Sequence, residues 1–431
     1  MTITKERKDN NAETAHLHFV LSQVEVNKAI LQIVNEAKSS LVFMSMMSEL
    51  SDPALVLALN DAVARGVNVK VFHNVNPYVT APTLNKRQAL GFQFNIIEVP
   101  MHGTRIPNFI STLLGGTYIN PMYTNVTHAR FIANGTHCMF GGVDFNRVCE
   151  AKNYIQHAIR IDVSTISQQY PCNYIAQHLE ELISEATTNH NLHSFSPSKL
   201  SCSNSRTSSR ISSSSSSDDG TSCTSNASSA LIATTAVDTS AREAILCMVH
   251  EAQYQIFIEN QYFEHKNILS AIAQQQKKHP SLKVVLVGNY EFDRNPYHPG
   301  KYFSFCGLSK YGNYSLKKET MAGLRYLREQ GCRFEFRTYQ GQYTHNKIFI
   351  TDHGKSIAMG TFNLHRRGLD AGNDCEIGVL LNDNTAEIGV GESFRDEKEE
   401  DRGHILKFAS TYIDHVHRET FVMNEVYKAP D

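Results

Sequence analysis

The chain has 431 residues, and its 41 Lys and Arg residues nearly balance 43 Asp and Glu residues, for a formal net charge of −2. This length allows two domains or one large two-lobed unit with a substantial core. The near-neutral charge and the lack of a long basic run make nucleic acid an unexpected partner. The nine scattered cysteines contain no C-x-x-C pair, so we expect no zinc site, no disulfide framework and no cofactor.

Two similar halves follow one another along the chain. Residues 1–20 are polar and are expected to form a flexible N-terminus. The segment ILQIVNEAKSSLVFMS, which starts at Ile30, then aligns with ILCMVHEAQYQIFIEN, which starts at Ile245, 215 residues later. Each copy predicts helix, strand, helix and strand, then a variable loop, strands around a histidine, and a final helix at residues 167–186 or 404–422.

The repeats predict an α/β protein of two duplicated lobes, residues 21–192 and 237–431. Each lobe is expected to be a mixed, mainly parallel β-sheet flanked by helices. Residues 193–236 between them are dominated by Ser, and we expect a disordered linker there because so few apolar side chains cannot order a segment. An inert tether is the simpler interpretation, and a phosphorylated regulatory tether is the alternative.

A charged strand is predicted in the second half by the alternation of THNKIFITD. His345 and Lys347 lie two residues apart and therefore share one face of that strand, which Asp352 ends. An imidazole can act as nucleophile or general acid, and an ammonium group is a compact charge for a phosphoryl oxygen. The pair suits phosphate ester chemistry without a metal.

Small and polar residues follow this strand. The sequence GTFN supplies Gly360, Thr361 and Asn363, which allow backbone and side-chain donors to approach a bound anion. The sequence NDCE then supplies Asn373 and Glu376. We expect the carboxylate of Glu376 to accept the Nδ1 proton of a catalytic histidine.

The corresponding strand of the first half is altered. In THARFIANG, His128 is retained and Arg130 takes the lysine position, while the position of the aspartate is lost or shifted. Because arginine keeps the charge and presents a planar fork for two phosphate oxygens, this change is compatible with function.

The segments after this strand also differ from their counterparts. Gly141, Gly142 and Asp144 in GGVD fill the position of GTFN, and Asn153 and Gln156 in NYIQ align with NDCE. Gln156 thus replaces the carboxylate. An amide oxygen can hold an imidazole tautomer, but it does not raise the imidazole pKa as a carboxylate does.

The order H-x-K-x4-D, G-[ST]-x-N and N-x-x-E resembles the HKD signature of the phospholipase D superfamily. In addition, IFIENQYF, which starts at Ile256, resembles a segment of eukaryotic-type phospholipases D. The resemblance implies two lobes that share one active site. It implies catalytic roles for His128, Arg130, His345, Lys347, Asp352, Asn363 and Glu376. It implies substrate-binding roles for Gly141, Gly142, Asp144, Asn153, Gln156, Gly360, Thr361 and Asn373.

The two histidines are expected to be unequal. His345, with Glu376 behind it, is the expected proton donor to the leaving group, and His128, beside the neutral Gln156, is the expected nucleophile. A carboxylate would equally stabilise a positively charged phosphohistidine, which leaves the opposite assignment open.

The resemblance implies a phosphodiesterase that hydrolyses glycerophospholipids to phosphatidic acid through a phosphohistidine. The open alternatives are a phosphatidyltransferase similar to cardiolipin synthases, a nuclease of the same superfamily, and an inactive protein that binds anionic lipids. The variable loops at residues 102–123 and 290–314 are rich in aromatic and aliphatic residues, and they could close the site, contact a lipid interface or pack on each other.

The expected partners are a phospholipid substrate and a membrane surface, and the chain is expected to be a monomer. No secretory signal and no apolar run of membrane-spanning length occurs in the sequence. We therefore expect a cytoplasmic or peripheral membrane protein. Delivery to a host cell as a bacterial effector is the alternative.

Overall fold

The structure is a computed structural model. It describes residues 17–45, 50, 52–74, 88–89, 91–99, 102–103, 123–125, 128–145, 154–162, 229–234, 238–290, 316–370, 374–382 and 404–423. The helix predicted for residues 167–186, most of the serine-rich segment and most of both variable loops lie outside these ranges, and so do Asn153 and Asn373.

The first lobe begins earlier in the chain than predicted. Its described elements are β1 (Leu17–Val20), α1 (Gln23–Glu36), β2 (Ser40–Ser45), α2 (Pro53–Ala64), β3 (Asn68–Asn74), β4 (Asn95–Val99), β5 (His102–Gly103), β6 (Tyr123–Asn125), β7 (Phe131–Asn134), β8 (His137–Gly141), β9 (Tyr154–Ile155) and β10 (Ala158–Asp162). Seven of these strands form one sheet in the order β1-β10-β8-β7-β2-β3-β4. Ser22 caps α1 by accepting the N–H of Glu25, and α1 packs its apolar face on this sheet.

The second lobe repeats this order of elements. Its described elements are β11 (Ser229–Thr234), α3 (Ser240–Glu251), β12 (Gln255–Asn260), α4 (Lys266–Lys278), β13 (Lys283–Val287), α5 (Leu316–Glu329), β14 (Glu335–Tyr339), β15 (Tyr343–Thr344), β16 (Lys347–Thr351), β17 (Ser356–Gly360), α6 (Arg366–Leu369), β18 (Glu376–Asn382), α7 (His404–Glu419) and β19 (Thr420–Val422). Eight strands form its sheet in the order β11-β18-β17-β16-β12-β13-β14-β19.

The predicted fold of two mixed sheets flanked by helices is confirmed, but the strands are not mainly parallel. Four of the six strand pairs in the first sheet and five of the seven in the second are antiparallel. The reason lies in the connections. Short turns join β7 to β8 and β16 to β17, and such a turn can connect only antiparallel neighbours.

Two predicted boundaries also need correction. Residues 17–20 (LHFV) form the edge strand β1 instead of belonging to a flexible N-terminus, and residues 229–234 (SALIAT) form the edge strand β11 instead of linker. Both segments are short and mostly apolar, and each pairs along its whole length with a later strand of its lobe, β10 or β18. The predicted helix at residues 404–422 ends at Glu419, and β19 follows it.

The two lobes share a core. One cluster of buried side chains takes residues from both, including Phe131 and Phe140 of the first sheet and Ile348, Met359 and Tyr412 of the second lobe. Burial of this continuous apolar surface stabilises one fixed arrangement of the two sheets. Within the described part of the chain, no helix has both the length and the apolarity needed to cross a bilayer.

Candidate active site

The two predicted histidines lie at the contact between the lobes. His128 lies just before β7, and His345 lies between β15 and β16. Each is fixed through its backbone by the other lobe, because the His128 N–H donates to the carbonyl of Cys375 and the His345 N–H donates to the carbonyl of Ile155. The imidazole centroids are 6.2 Å apart. The structure therefore brings both histidines into one site.

The carboxylate of Glu376 lies behind His128 and not behind His345, which corrects the sequence-based pairing. Both oxygens of Glu376 are 3.0 Å from Nδ1 of His128, and the carbonyl of Thr361 is 3.2 Å from the same nitrogen. Glu376 opens β18 directly after Cys375, whose carbonyl accepts the His128 N–H. The pairing crosses the lobe boundary because the backbone of each histidine is held by the opposite lobe, at Cys375 for His128 and at Ile155 for His345.

Two basic side chains contact the imidazoles: Arg130 lies between them, and Lys347 lies beside His345. Nη2 of Arg130 is 3.3 Å from Nε2 of His128, and Nη1 is 3.3 Å from Nδ1 of His345. Nε of Arg130 is 3.0 Å from a carboxylate oxygen of Asp144, and the two side chains are only 2% and 4% exposed. Lys347 donates from Nζ to Nδ1 of His345 at 3.1 Å and to its carbonyl at 2.7 Å. Two buried basic side chains beside two imidazoles are suited to binding an anion.

These contacts assign opposite tautomers to the two neutral imidazoles. Among the described groups, Nδ1 of His128 contacts acceptors and carries its proton, which leaves a lone pair on Nε2 toward the guanidinium of Arg130. Among the same groups, Nδ1 of His345 accepts from Arg130 and Lys347, which places its proton on Nε2. His128 thus offers a nucleophilic nitrogen, whereas His345 offers a donor.

Burial and like charges hold both histidines in the neutral form. Burial and the nearby Arg130 and Lys347 lower the pKa of His128 well below its usual value. Burial, Lys347 and Arg130 do the same to the pKa of His345, and burial and Arg130 also lower the pKa of Lys347. Burial raises the pKa of Glu376 to about 8. A bound phosphodiester anion would oppose these effects and favour the protonated form of His345.

The glycines of GGVD allow a close approach of backbone and side chains. Gly141 has a φ of +100°, which favours glycine, and a Cβ on Gly142 would collide with the side chain of Gln156. Gln156 is buried, and its Nε2 has no hydrogen-bond partner among the described groups. The position predicted for Gln156, behind His128, is occupied by Glu376. Gln156 instead follows Ile155, whose carbonyl holds His345.

The residues of GTFN are placed by the end of β17. A Cβ on Gly360 would collide with the ring of Phe362, and the hydroxyl of Thr361 exchanges hydrogen bonds with the backbone of Ile377. The carbonyl of Thr361 reaches His128, so this segment contacts the site directly. Asn363 is 5% exposed, and its Oδ1 has no partner among the described residues.

Asp352 does not lie in the site, contrary to its predicted catalytic role. Its carboxylate accepts the backbone N–H groups of Gln253, Tyr254 and Gln255, at the start of β12. Asp352 is five positions from Lys347 along β16, a distance of roughly 16 Å at about 3.3 Å per residue, and His345 is farther still. Asp352 therefore fixes the far end of β16 and belongs to the fold, not to the chemistry.

Two further polar residues, Asp374 and His365, lie near the histidines and were missed from the sequence. Asp374 accepts a hydrogen bond from Arg367 at 2.8 Å, and burial raises its pKa to about 6. His365 accepts the Gly368 N–H at 2.9 Å and lies against the ring of Tyr262, and burial lowers its pKa to about 3. Their positions next to or within the GTFN and NDCE motifs could have indicated them from the sequence.

Comparison with known proteins agrees with this geometry. Residues 245–396 match a family model described as cardiolipin synthase, PLD-like domain. This match covers most of the second lobe, including its histidine motif. The second lobe therefore carries a phospholipase D-like domain, and the two lobes together have a fold similar to that of a solved phosphatidylserine synthase.

Two solved structures are also similar to the chain. Phosphatidylserine synthase from Haemophilus influenzae Rd KW20 has a TM-score of 0.59 at 14% identity, covering 96% of this chain and 89% of that one. The phospholipase D family member Nuc from Salmonella typhimurium has a TM-score of 0.30 at 15% identity, covering 46% of this chain and 97% of that one. No curated protein matches the sequence.

Proposed function

We propose that the chain is a phospholipase D-type enzyme that cleaves the head group from glycerophospholipids through a phosphohistidine. The observation that carries this proposal is the opposite tautomers of the two imidazoles, set by Glu376 on one side and by Lys347 and Arg130 on the other. A nucleophilic step needs an imidazole with a free lone pair, and an acid–base step needs a neighbouring imidazole that carries a proton.

In the first step, Nε2 of His128 attacks phosphorus and forms a P–N bond. Binding of the anionic substrate is accompanied by uptake of a second proton by His345, on Nδ1. The P–O bond to the head group then breaks as the Nε2 proton of His345 moves to the departing oxygen, which leaves His345 neutral with its remaining proton on Nδ1. Arg130 and Lys347 stabilise the phosphoryl oxygens, and Glu376 stabilises the positive charge on the phosphorylated imidazole. Nucleophilic attack by His128 is retained from the sequence-based assignment, but its reason is now the carboxylate of Glu376.

In the second step, a water molecule attacks phosphorus and gives a proton to Nε2 of His345. The P–N bond breaks, phosphatidic acid leaves, His128 regains the lone pair on Nε2, and His345 is again protonated on both nitrogens, as at the start of the first step. An alcohol in place of water would give a new phosphodiester. The second candidate function is therefore phosphatidyl transfer, which the description of the matching family model and the phosphatidylserine synthase of similar fold favour.

Lipid is favoured over nucleic acid by charge. The net charge of −2 and the site's three buried carboxylates, Asp144, Asp374 and Glu376, leave little positive field for a polynucleotide. A phospholipid substrate and a membrane surface are accordingly the proposed partners.

A product assay tests the proposal. Mixed micelles of phosphatidylcholine, phosphatidylethanolamine, phosphatidylglycerol and phosphatidylserine are incubated with and without added glycerol. We expect wild type to release a head group, and His128→Ala and His345→Ala to lose at least about 100-fold in rate. Phosphatidic acid as the main product supports hydrolysis, and a glycerol ester supports transfer. No turnover of any lipid by wild type would refute the enzyme proposal.

A further inference from the structure

A buried carboxylate of the second lobe lies beside the site but outside the chemistry described above. Glu259 belongs to the IENQ segment at the end of β12 and is completely buried. Its backbone pairs with Ile348 of β16, and the next residue, Asn260, pairs with Lys347. The carboxylate therefore lies next to the strand end that carries His345.

Four neutral groups donate hydrogen bonds to Glu259. Thr344 Oγ1 lies 2.6 Å, Asn346 Nδ2 2.8 Å and the Tyr339 hydroxyl 3.1 Å from Oε1, and the Tyr412 hydroxyl lies 2.6 Å from Oε2. Burial raises the pKa of both tyrosines well above the usual value, so the hydroxyls remain donors. A carboxylate that accepts four such bonds fixes the position of every donor.

Two of these donors flank His345. Thr344 and Asn346 direct their side chains toward Glu259, while His345 and Lys347, at the alternate positions, contact Arg130 or each other. Because side chains alternate along an extended segment, fixing one pair fixes the direction of the other. Glu259 thus fixes residues 344–347 from the side opposite to the side chains of His345 and Lys347.

The same network reaches the first lobe through His157. Asn346 accepts the His157 N–H at 2.6 Å and donates from Nδ2 to its Nδ1 at 2.9 Å. Burial lowers the pKa of His157 to about 3, so this imidazole is a neutral acceptor. The network therefore fixes the strand end of His345 relative to the lobe that carries His128.

The first half shows that the fold does not require this network. The residues aligned with Glu259 and Asn346 are Met44, 215 positions earlier, and Ala129, 217 positions earlier. Both are buried in the shared apolar core. One lobe is thus built without a carboxylate at this position, although a buried carboxylate costs desolvation energy wherever it occurs.

We propose that Glu259 is a positioning residue that aims the imidazole of His345 at the leaving oxygen through Thr344 and Asn346. This inference rests on the proposed function. It predicts that replacement of Glu259 weakens proton donation specifically. A leaving group of low pKa needs little protonation, so its ester should be nearly insensitive to the change.

The experiment compares two leaving groups on one enzyme. One substrate is the natural phospholipid that wild type cleaves fastest in mixed micelles, and the other is phosphatidyl-p-nitrophenol. In Glu259→Gln the new amide group is a donor that faces other donors, so at least one hydrogen bond of the network is lost. We expect kcat to fall at least about 10-fold more on the natural lipid than on the nitrophenyl ester. Thr344→Val, which keeps the branched shape, should shift the ratio in the same direction by less.

Asp352→Asn is the matched control, since it makes the same chemical change to a buried carboxylate at the far end of β16. It should lower thermal stability and leave the ratio of the two rates as in wild type. Equal losses on both substrates in Glu259→Gln and Thr344→Val, per folded protein, would overturn the positioning role. If Glu259→Gln does not fold, Thr344→Val decides alone. If wild type cleaves neither substrate, the proposed function fails and this inference fails with it.

Discussion

Glu376 behind His128 leads to a prediction about pH. Burial raises the pKa of Glu376 to about 8, so below that pH the pair of side chains holds one additional proton. That proton removes the charge that would stabilise a phosphorylated imidazole. We therefore expect kcat/KM of wild type to rise with pH through about 8, which is the direction set by a carboxyl group active in its ionised form.

The matched variant is Glu376→Gln, in which the amide oxygen still accepts from Nδ1 of His128 but carries no charge. We expect kcat/KM to fall about 100-fold or more and the rise near pH 8 to disappear. The measurement is a pH–rate profile of both proteins with one lipid, alongside thermal unfolding to correct for folded fraction. Persistence of the rise in the variant would assign it to another group.

At the scale of elements, the turn between β16 and β17 is tightly constrained. Asp352, His353 and Gly354 all have positive φ, and a Cβ on Gly354 would collide with Ala409 of α7. Gly331 also has positive φ, of +78°, but open space around it. An alanine at Gly331 would therefore introduce backbone strain alone, whereas an alanine at Gly354 would add a steric collision.

We expect Gly331→Ala to cost roughly 1–3 kcal/mol of unfolding free energy from strain, and Gly354→Ala to cost distinctly more because α7 must move. Urea unfolding of both variants measures the difference. Similar losses in the two variants would mean that the contact between the turn and α7 is loose.

The repeat alignment and strand periodicity were sufficient to predict the elements around the histidines and the face shared by His345 and Lys347. They failed for Glu376, since spacing within one repeat does not reveal which lobe's histidine a carboxylate faces. They also misplaced Asp352, although its distance along an extended strand already separates it from the site. The edge strands β1 and β11 were missed because four to six residues carry little periodic signal.

At the scale of the whole molecule, the shared core predicts that the lobes stay together without their covalent connection. Buried residues of both sheets form one cluster, β9 pairs with β15 across the boundary, and each histidine is held by the opposite lobe. We expect a specific protease site, inserted into the run of six serines at residues 212–217, to allow cleavage without loss of lipid turnover.

Gel filtration after cleavage measures this directly, with the uncut insertion variant as control. Co-elution of both fragments and retained activity are the expected results. Separation of the fragments under native conditions would show that the buried contact between the lobes is too weak to hold the site together.

The crossed anchoring of the histidines has a consequence for how such a chain can evolve. Gln156 stands in the first repeat, but the backbone beside it holds the histidine of the second, while Glu376 of the second repeat serves the histidine of the first. A substitution in one repeat therefore changes the surroundings of the histidine in the other repeat. The repeat with the degenerate motif keeps the histidine that we propose as the nucleophile, and selection can specialise the two histidines through mutations in the opposite repeat.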